Sequence, residues 1–294
     1  MQPSRRSFLF GRKNAPDSPW QRFCQRLARS CSGRVDDGGL DSGVGTARLA
    51  PLDVNDVLHA HALCREYGVG LALAGAPQRR PSRHVLWLDP TVALTRLEPL
   101  ADAPGLWRAE AGVRLEDLQT AGLMQFAGAP GDMSLAEWLA GAASQLCATG
   151  HTADAGVLGA DIMLADGTRS ALGPFGERDV QPLRGATIQK LVPSLFQLMQ
   201  RPDAQICMAH SRWGAKIRLD ALQPCDGAVN LAHLLLGHGG ALAWVESLVL
   251  VAAPAVAETY PSETEALPPE LEAAAARLDA QAKLLFDPDG LLLP

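Results

Sequence analysis

The stretch Asp154-Ala155-Gly156-Val157-Leu158-Gly159-Ala160, continued by Leu164-Ala165-Asp166-Gly167, decides the fold. Two apolar runs, 157–164 and 168–172, meet at Asp166-Gly167. That dipeptide readily supplies the positive φ angles of a tight hairpin turn. The spacing therefore predicts an antiparallel strand pair.

Upstream of the hairpin, Ser134 stands three residues before Glu137, the pattern of a capping box, and predicts a helix over 134–143. Before it, residues 106–110 read as a strand, and Gly112 turns the chain into a short helix holding Leu115 and Leu118. Further back, Asp53 caps a helix whose apolar stripe is Val54, Val57, Leu58, His61 and Ala62, with Asp56 at its positive end and Gly68 as its stop. Strands follow at 69–74 and 85–88, separated by a loop over 75–83. Downstream come a helix at 191–199, an irregular stretch to Gly227, a helix near 229–236 and a strand at 241–251. A proline-started helix over 269–285 is closed by Asp287-Pro288-Asp289-Gly290. Helices and strands alternate only loosely, and the class expected is α+β.

At the N-terminus, Ser18-Pro19-Trp20-Gln21 predicts a helix docked by Trp20, Phe23 and Leu27, with Arg22, Arg26 and Arg29 on its other faces. Residues 33–45, with Asp36-Asp37-Gly38-Gly39, read as a polar linker, so residues 1–45 are expected to form a basic arm and the folded body to begin at 46. Ser4-Arg5-Arg6-Ser7-Phe8-Leu9 spells a twin-arginine signature, but Phe10 is followed at once by Gly11-Arg12-Lys13 and not by an apolar stretch. The expectation is a cytoplasmic protein with a basic docking tail.

With 294 residues, 47% of them apolar, the chain can bury one large core or two modest ones. Its formal charge of −6 gives no sequence-wide attraction to nucleic acid or to an anionic membrane surface. The apolar region 231–257 is broken by His233, His238, Gly239-Gly240 and Glu246, so no membrane span is expected. The six cysteines lack C-x-x-C spacing and the histidines lack an i, i+4 pair with a carboxylate, so no metal site is expected.

In order along the chain, five segments resemble the FAD-binding (PCMH-type) domain of the vanillyl-alcohol oxidase/p-cresol methylhydroxylase superfamily. They are Pro51-Leu52-Asp53-Val54-Asn55-Asp56-Val57 with Tyr67-Gly68-Val69; Ala109-Glu110-Ala111-Gly112-Val113; the 154–167 stretch; Leu235-Leu236-Gly237-His238-Gly239-Gly240; and Phe286-Asp287-Pro288-Asp289-Gly290-Leu291. Within the superfamily the chain is most similar to the short FAD-binding subunit of bacterial glycolate oxidase. The resemblance implies a two-subdomain fold (46–125 and 126–254, then a C-terminal linker and helix over 255–294) without a substrate cap domain.

It also implies where a non-covalent FAD would lie. The family's pyrophosphate rests on backbone N–H groups of two glycine-rich turns, because glycine lets the backbone approach a dianion closely. The matching positions here are Gly75, Ala76, Pro77, Gln78 and Arg79 for the first turn and Ser134, Leu135 and Ala136 for the second, with Gly131, Gly150, Asp154 and Gly159 as further candidates. Both turns depart from the family. Pro77 removes a donor, and Glu137 puts a carboxylate where a phosphate belongs, a repulsion of about 1 kcal/mol in water to about 4 kcal/mol near a protein surface at ~4 Å. Arg79, Arg80 and Arg83 read as a solvated basic loop that has the charge to neutralise a phosphate. Glu110 is a further carboxylate for flavin or substrate contact, and Cys147 and His151 lie near the candidate turns in sequence.

The family's oxidases carry a cap domain that this length leaves no room for; residues 199–229, with Arg201, Arg212, Trp213, Lys216 and Arg218, suffice only for a docking insert. Two functions follow as expectations. One is a non-catalytic or electron-transferring FAD-binding subunit of a 2-hydroxy-acid (glycolate-type) dehydrogenase, partnered by a larger flavoprotein or iron–sulfur subunit. The alternative is a flavin-free pseudoenzyme kept as a binding or assembly module.

Overall fold

The computed structural model of the chain describes residues 18–76, 81–141, 143, 147–176, 185–225, 228–253 and 267–294. The twin-arginine stretch, Pro77, Gln78, Arg79 and Arg80 lie outside the described residues. Helix α1 (Pro19–Ser30) starts at the expected capping box, in which Ser18 Oγ accepts the Gln21 N–H and Gln21 Oε1 accepts the Ser18 N–H, each at 3.2 Å. Trp20, Phe23 and Leu27 are buried, as the aromatic edge requires.

Residues 33–45 are not a linker. They build strand β1 (Arg34–Asp41), which pairs antiparallel with β2 (Val44–Ala50). The turn between them uses Ser42 and Gly43, both with positive φ (49° and 84°), as a twisted two-residue hairpin loop demands. A register shift between Asp37 and Leu40 absorbs Gly38 and Gly39. Asp37 accepts both the Trp20 indole N–H at 3.2 Å and the Gly39 N–H at 2.8 Å, tying strand to helix. The basic helix is therefore part of the first core and not a separate arm: Arg26 pairs with Glu66 and stands over the Tyr67 ring.

Helix α2 (Val54–Tyr67) is capped by Asp53, whose side chain accepts the Asp56 N–H at 3.0 Å, and ends at Gly68 with φ 66°. Its buried face is Val57, Ala60, His61 and Cys64, rotated from the expected stripe, which leaves Val54 and Leu58 half-buried and Ala62 exposed. Asp56 explains the rotation. Its carboxylate turns inward to accept the Ser32, Gly33 and Leu52 N–H groups at 2.7, 2.8 and 2.9 Å.

β3 (Gly70–Leu73), β4 (Val85–Leu88) and β12 (Leu292–Leu293) complete a five-stranded sheet of order β1-β2-β4-β3-β12, parallel except for its first pair. A second five-stranded sheet is antiparallel throughout, in the order β5 (Leu97–Pro99), β6 (Leu106–Glu110), β11 (Ala243–Val251), β7 (Val157–Leu164), β8 (Arg169–Leu172). The β7–β8 hairpin turns at Asp166-Gly167 with Gly167 at φ 87°, and Asp166 accepts the Thr168 N–H at 2.7 Å. A short pair, β9 (Pro174–Phe175) with β10 (Val229–Asn230), forms a third sheet among the described residues.

Around the second sheet pack α3 (Leu115–Thr120), α4 (Leu135–Ala140), α5 (Ala186–Met199), α6 (Pro202–Met208) and α7 (Pro269–Phe286). The helix expected near 229–236 is β10 followed by one 3-10 turn, and α6 occupies part of the stretch read as irregular. The apolar side chains form two clusters, one on each large sheet. The result is an α+β fold.

Candidate functional site

The two turns expected to cradle a pyrophosphate do come together. Gly75 follows β3 at the surface with φ 87°, and a Cβ placed on it would fall 1.4 Å from Glu137 Oε1. Ala76 is buried beside it, and Ser134, Leu135 and Ala136 begin α4. The side chain of Glu137 thus rests on the one glycine that the first turn keeps.

An anion needs unsatisfied N–H groups, and each early amide of α4 already has a protein acceptor. Ser134 N–H donates to Glu137 Oε2 at 2.7 Å and Glu137 N–H to Ser134 Oγ at 3.2 Å. Leu135 N–H donates to the Val113 carbonyl and Ala136 N–H to the Ala111 carbonyl, both at 2.8 Å. Trp138 N–H closes the first turn on the Ser134 carbonyl at 3.0 Å. At the other end of α4, the glycine-rich 237–240 turn serves the helix: Gly237 and Gly239 N–H donate to the Leu139 and Ala140 carbonyls at 2.7 and 2.8 Å.

The remaining candidates lie elsewhere. Gly131 packs on Glu116, whose N–H donates to the Gly131 carbonyl at 3.1 Å. Gly159 lies within β7 opposite Val249, and Asp154 is exposed on a 3-10 turn before that strand. Arg83 bonds the Gly290 and Leu291 carbonyls and so fixes the C-terminal turn, not a phosphate. Glu110 accepts the Arg96 N–H at 2.8 Å, an ordinary strand-end contact.

Gly150 belongs to a polar centre that sequence reasoning missed. Arg218 and Asp220, 1% and 0% exposed, pair through Arg218 Nη2 and Asp220 Oδ2 at 2.6 Å and Arg218 Nε and Asp220 Oδ1 at 2.9 Å. Arg218 also donates to the Cys147 and Ala148 carbonyls at 3.0 and 2.9 Å, while Asp220 accepts the Gly150 N–H at 2.8 Å. Next to this loop, His233 Nδ1 meets Thr152 Oγ1 at 2.9 Å and His233 Nε2 meets the Val157 carbonyl at 2.7 Å. Part of the 199–229 segment packs into the second core: Trp213 is buried with its indole N–H on the Ile217 carbonyl at 2.9 Å, and Asp279 accepts the Lys216 and Ile217 N–H groups, while Arg201, Arg212 and Lys216 are exposed. Only the i, i+2 spacing of Arg218 and Asp220 signalled the pair, and such spacing is too common to read.

Between the two large sheets lies a cavity of about 20 Å³, lined by Leu71, Leu73, Ala136, His238 and Trp244. It has room for about one water molecule, whereas pockets for drug-sized ligands run to about 300–1,000 Å³. Burial pushes the His238 imidazole down to about 3, so it is neutral there. A larger groove of about 320 Å³ opens on the first sheet, where Arg34 pairs with Asp36 and Arg48 with Asp89. Burial raises the Cys147 thiol to about 11, far from a reactive thiolate. Among the described residues, the start of α4 offers no free amide to a dinucleotide and the Glu137 carboxylate stands over Gly75, so FAD does not fit the described residues of the two turns.

Among the described residues no group of His, Cys, Asp and Glu is arranged to hold a metal, and no helix is long and apolar enough to cross a membrane. No family model matches the chain, and no curated protein matches it. Among solved structures, a variant of Physcomitrella patens BBE-like 1 is 14% identical, with 78% of this chain covering 44% of that one at a TM-score of 0.47. Carbohydrate oxidase from Microdochium nivale is 12% identical over 79% of this chain and 43% of its own, at a TM-score of 0.44. Glucooligosaccharide oxidase from Acremonium strictum, described with a 6-S-cysteinyl, 8α-N1-histidyl FAD, is 16% identical over 79% and 42%, also at 0.44. The chain spans less than half the length of each of these structures.

Proposed function

We propose that this chain is a flavin-free relative of the PCMH-type FAD-binding oxidoreductases, retaining their fold as a binding or assembly module. The observation that carries this reading is the occupancy of the start of α4: Leu135, Ala136 and Glu137 all spend their N–H groups on protein acceptors, and the Glu137 carboxylate rests on Gly75. The five family-like segments, in family order from Pro51 to Leu291, support descent from a FAD-binding domain. Substrate chemistry then belongs to a partner, and the resemblance to the short glycolate oxidase subunit favours a larger flavoprotein or iron–sulfur subunit of a 2-hydroxy-acid dehydrogenase complex.

A second reading, an electron-transferring flavoprotein subunit, is favoured by Gly75 alone, which keeps the positive φ of a phosphate-binding turn. Purified protein separates the two. The flavin-free reading expects a colourless protein whose melting temperature does not move when FAD is added. Flavin absorbance that survives purification, or a thermal shift that saturates with FAD, establishes the flavoprotein reading instead.

A further inference from the structure

We infer that one water molecule is a built part of this fold, bound between the two large sheets by the indole N–H of Trp244 and the imidazole Nε2–H of His238. The inference is independent of whether the chain binds flavin.

Two buried indole N–H groups among the described residues, those of Trp138 and Trp244, meet no protein acceptor. Other tryptophans show what such a donor ordinarily finds: Trp20 meets Asp37 at 3.2 Å, and Trp213 the Ile217 carbonyl at 2.9 Å. Trp244, 6% exposed, differs from Trp138 in lining the small cavity between the sheets. His238, 3% exposed, lines the same cavity. Its Nδ1 accepts a long bond from the Leu242 N–H at 3.5 Å, which leaves the proton of the neutral ring on Nε2. That Nε2–H has no protein acceptor among the described residues. Two buried donors in want of an acceptor therefore border one space.

The space selects its ligand. Burying a donor without an acceptor is costly, and a buried water removes that cost by making about three hydrogen bonds of its own. One water needs a cavity of about 10–15 Å³, and this one, at about 20 Å³, leaves no room for a second. The water oxygen has a lone pair for each of the two donors. Leu71, Leu73 and Leu292 of the first sheet and Ala136 of α4 make up much of the remaining wall. Against these apolar side chains the two donors fix where the water sits.

The test uses the full chain labelled with 15N-tryptophan. The Trp244 indole signal is assigned as the one missing from Trp244→Phe. Cross-relaxation with the water resonance is then measured in the laboratory and rotating frames. The bound water predicts a cross-peak from the Trp244 indole proton with the opposite signs in the two frames that mark long-lived water. It also predicts loss of that cross-peak in His238→Phe, which keeps a flat ring but donates nothing. If His238→Phe does not fold, the native spectra alone decide. A Trp244 indole proton with no water cross-peak in the native chain shows a dry cavity and overturns the inference. A cross-peak that persists undiminished in His238→Phe overturns the role of His238 and, with it, the site as assigned.

Discussion

Replacing Asp220 by Asn changes one buried charge and little else. The amide keeps the size of the carboxylate and an oxygen for the Gly150 N–H, but it takes the charge of Asp220 away from Arg218, which is 1% exposed. Removing one partner of a buried ion pair costs about 3–5 kcal/mol, because the stranded charge stays desolvated. At about 2–4 °C per kcal/mol for a chain of this size class, the melting temperature should fall by roughly 6–20 °C. Urea unfolding followed by tryptophan fluorescence gives the same quantity, and the midpoint should drop at an unchanged slope. Replacing both partners, Arg218→Met with Asp220→Leu, strands no charge and should cost less than Asp220→Asn alone, although the Cys147 and Ala148 carbonyls lose their donor. A loss under about 1 kcal/mol for Asp220→Asn would refute the reasoning, because it would mean that water reaches Arg218.

Further outcomes follow from the same contacts. Asp56→Ala removes the acceptor of the Ser32 and Gly33 N–H groups at the α1–β1 junction and of the Leu52 N–H before α2, and should cost at least about 1–3 kcal/mol by chemical denaturation; a change within a few tenths would restore the separate-arm picture. Trp20→Ala should cost about 3–5 kcal/mol in the same assay, since the ring is 3% exposed. The folded pKa of His238 lies at about 3, below its ordinary 6.5, so the unfolded chain binds this proton first. The stability it contributes is fully present above pH 6.5 and declines as pH falls toward about 3. Unfolding free energy measured against pH should accordingly fall about 1.4 kcal/mol per unit less steeply in His238→Leu; parallel slopes would show that His238 titrates freely when folded.

What was legible in the sequence was chemistry confined to a few neighbouring residues. Ser18 with Gln21, Ser134 with Glu137, Asp53 with Gly68 and Asp166-Gly167 all specify local geometry, and each formed as read. Strand β1 was hidden because Asp36-Asp37-Gly38-Gly39 has poor strand propensity, which pairing with β2 and the contact of Trp20 with Asp37 override. The local signal for it is the Ser42-Gly43 turn, whose two positive φ angles suit a two-residue hairpin loop. The rotation of α2 depended on where Asp56 finds donors, a fact of tertiary structure. At the candidate site, sequence alone placed a carboxylate at Glu137 among the phosphate-binding positions. That it lies on Gly75, and that neighbouring carbonyls from Ala111 and Val113 take the helix amides, required the fold. The Arg218–Asp220 centre was not legible, because charged residues seldom lie fully buried unless paired and the pairing itself is not written in their spacing.

Calorimetric titration of FAD into the purified native chain tests the central claim most directly. Glu137 on Gly75, with the amides of Leu135 and Ala136 already bonded, predicts no heat beyond dilution and no flavin retained after desalting. A saturating isotherm with one FAD per chain would contradict it.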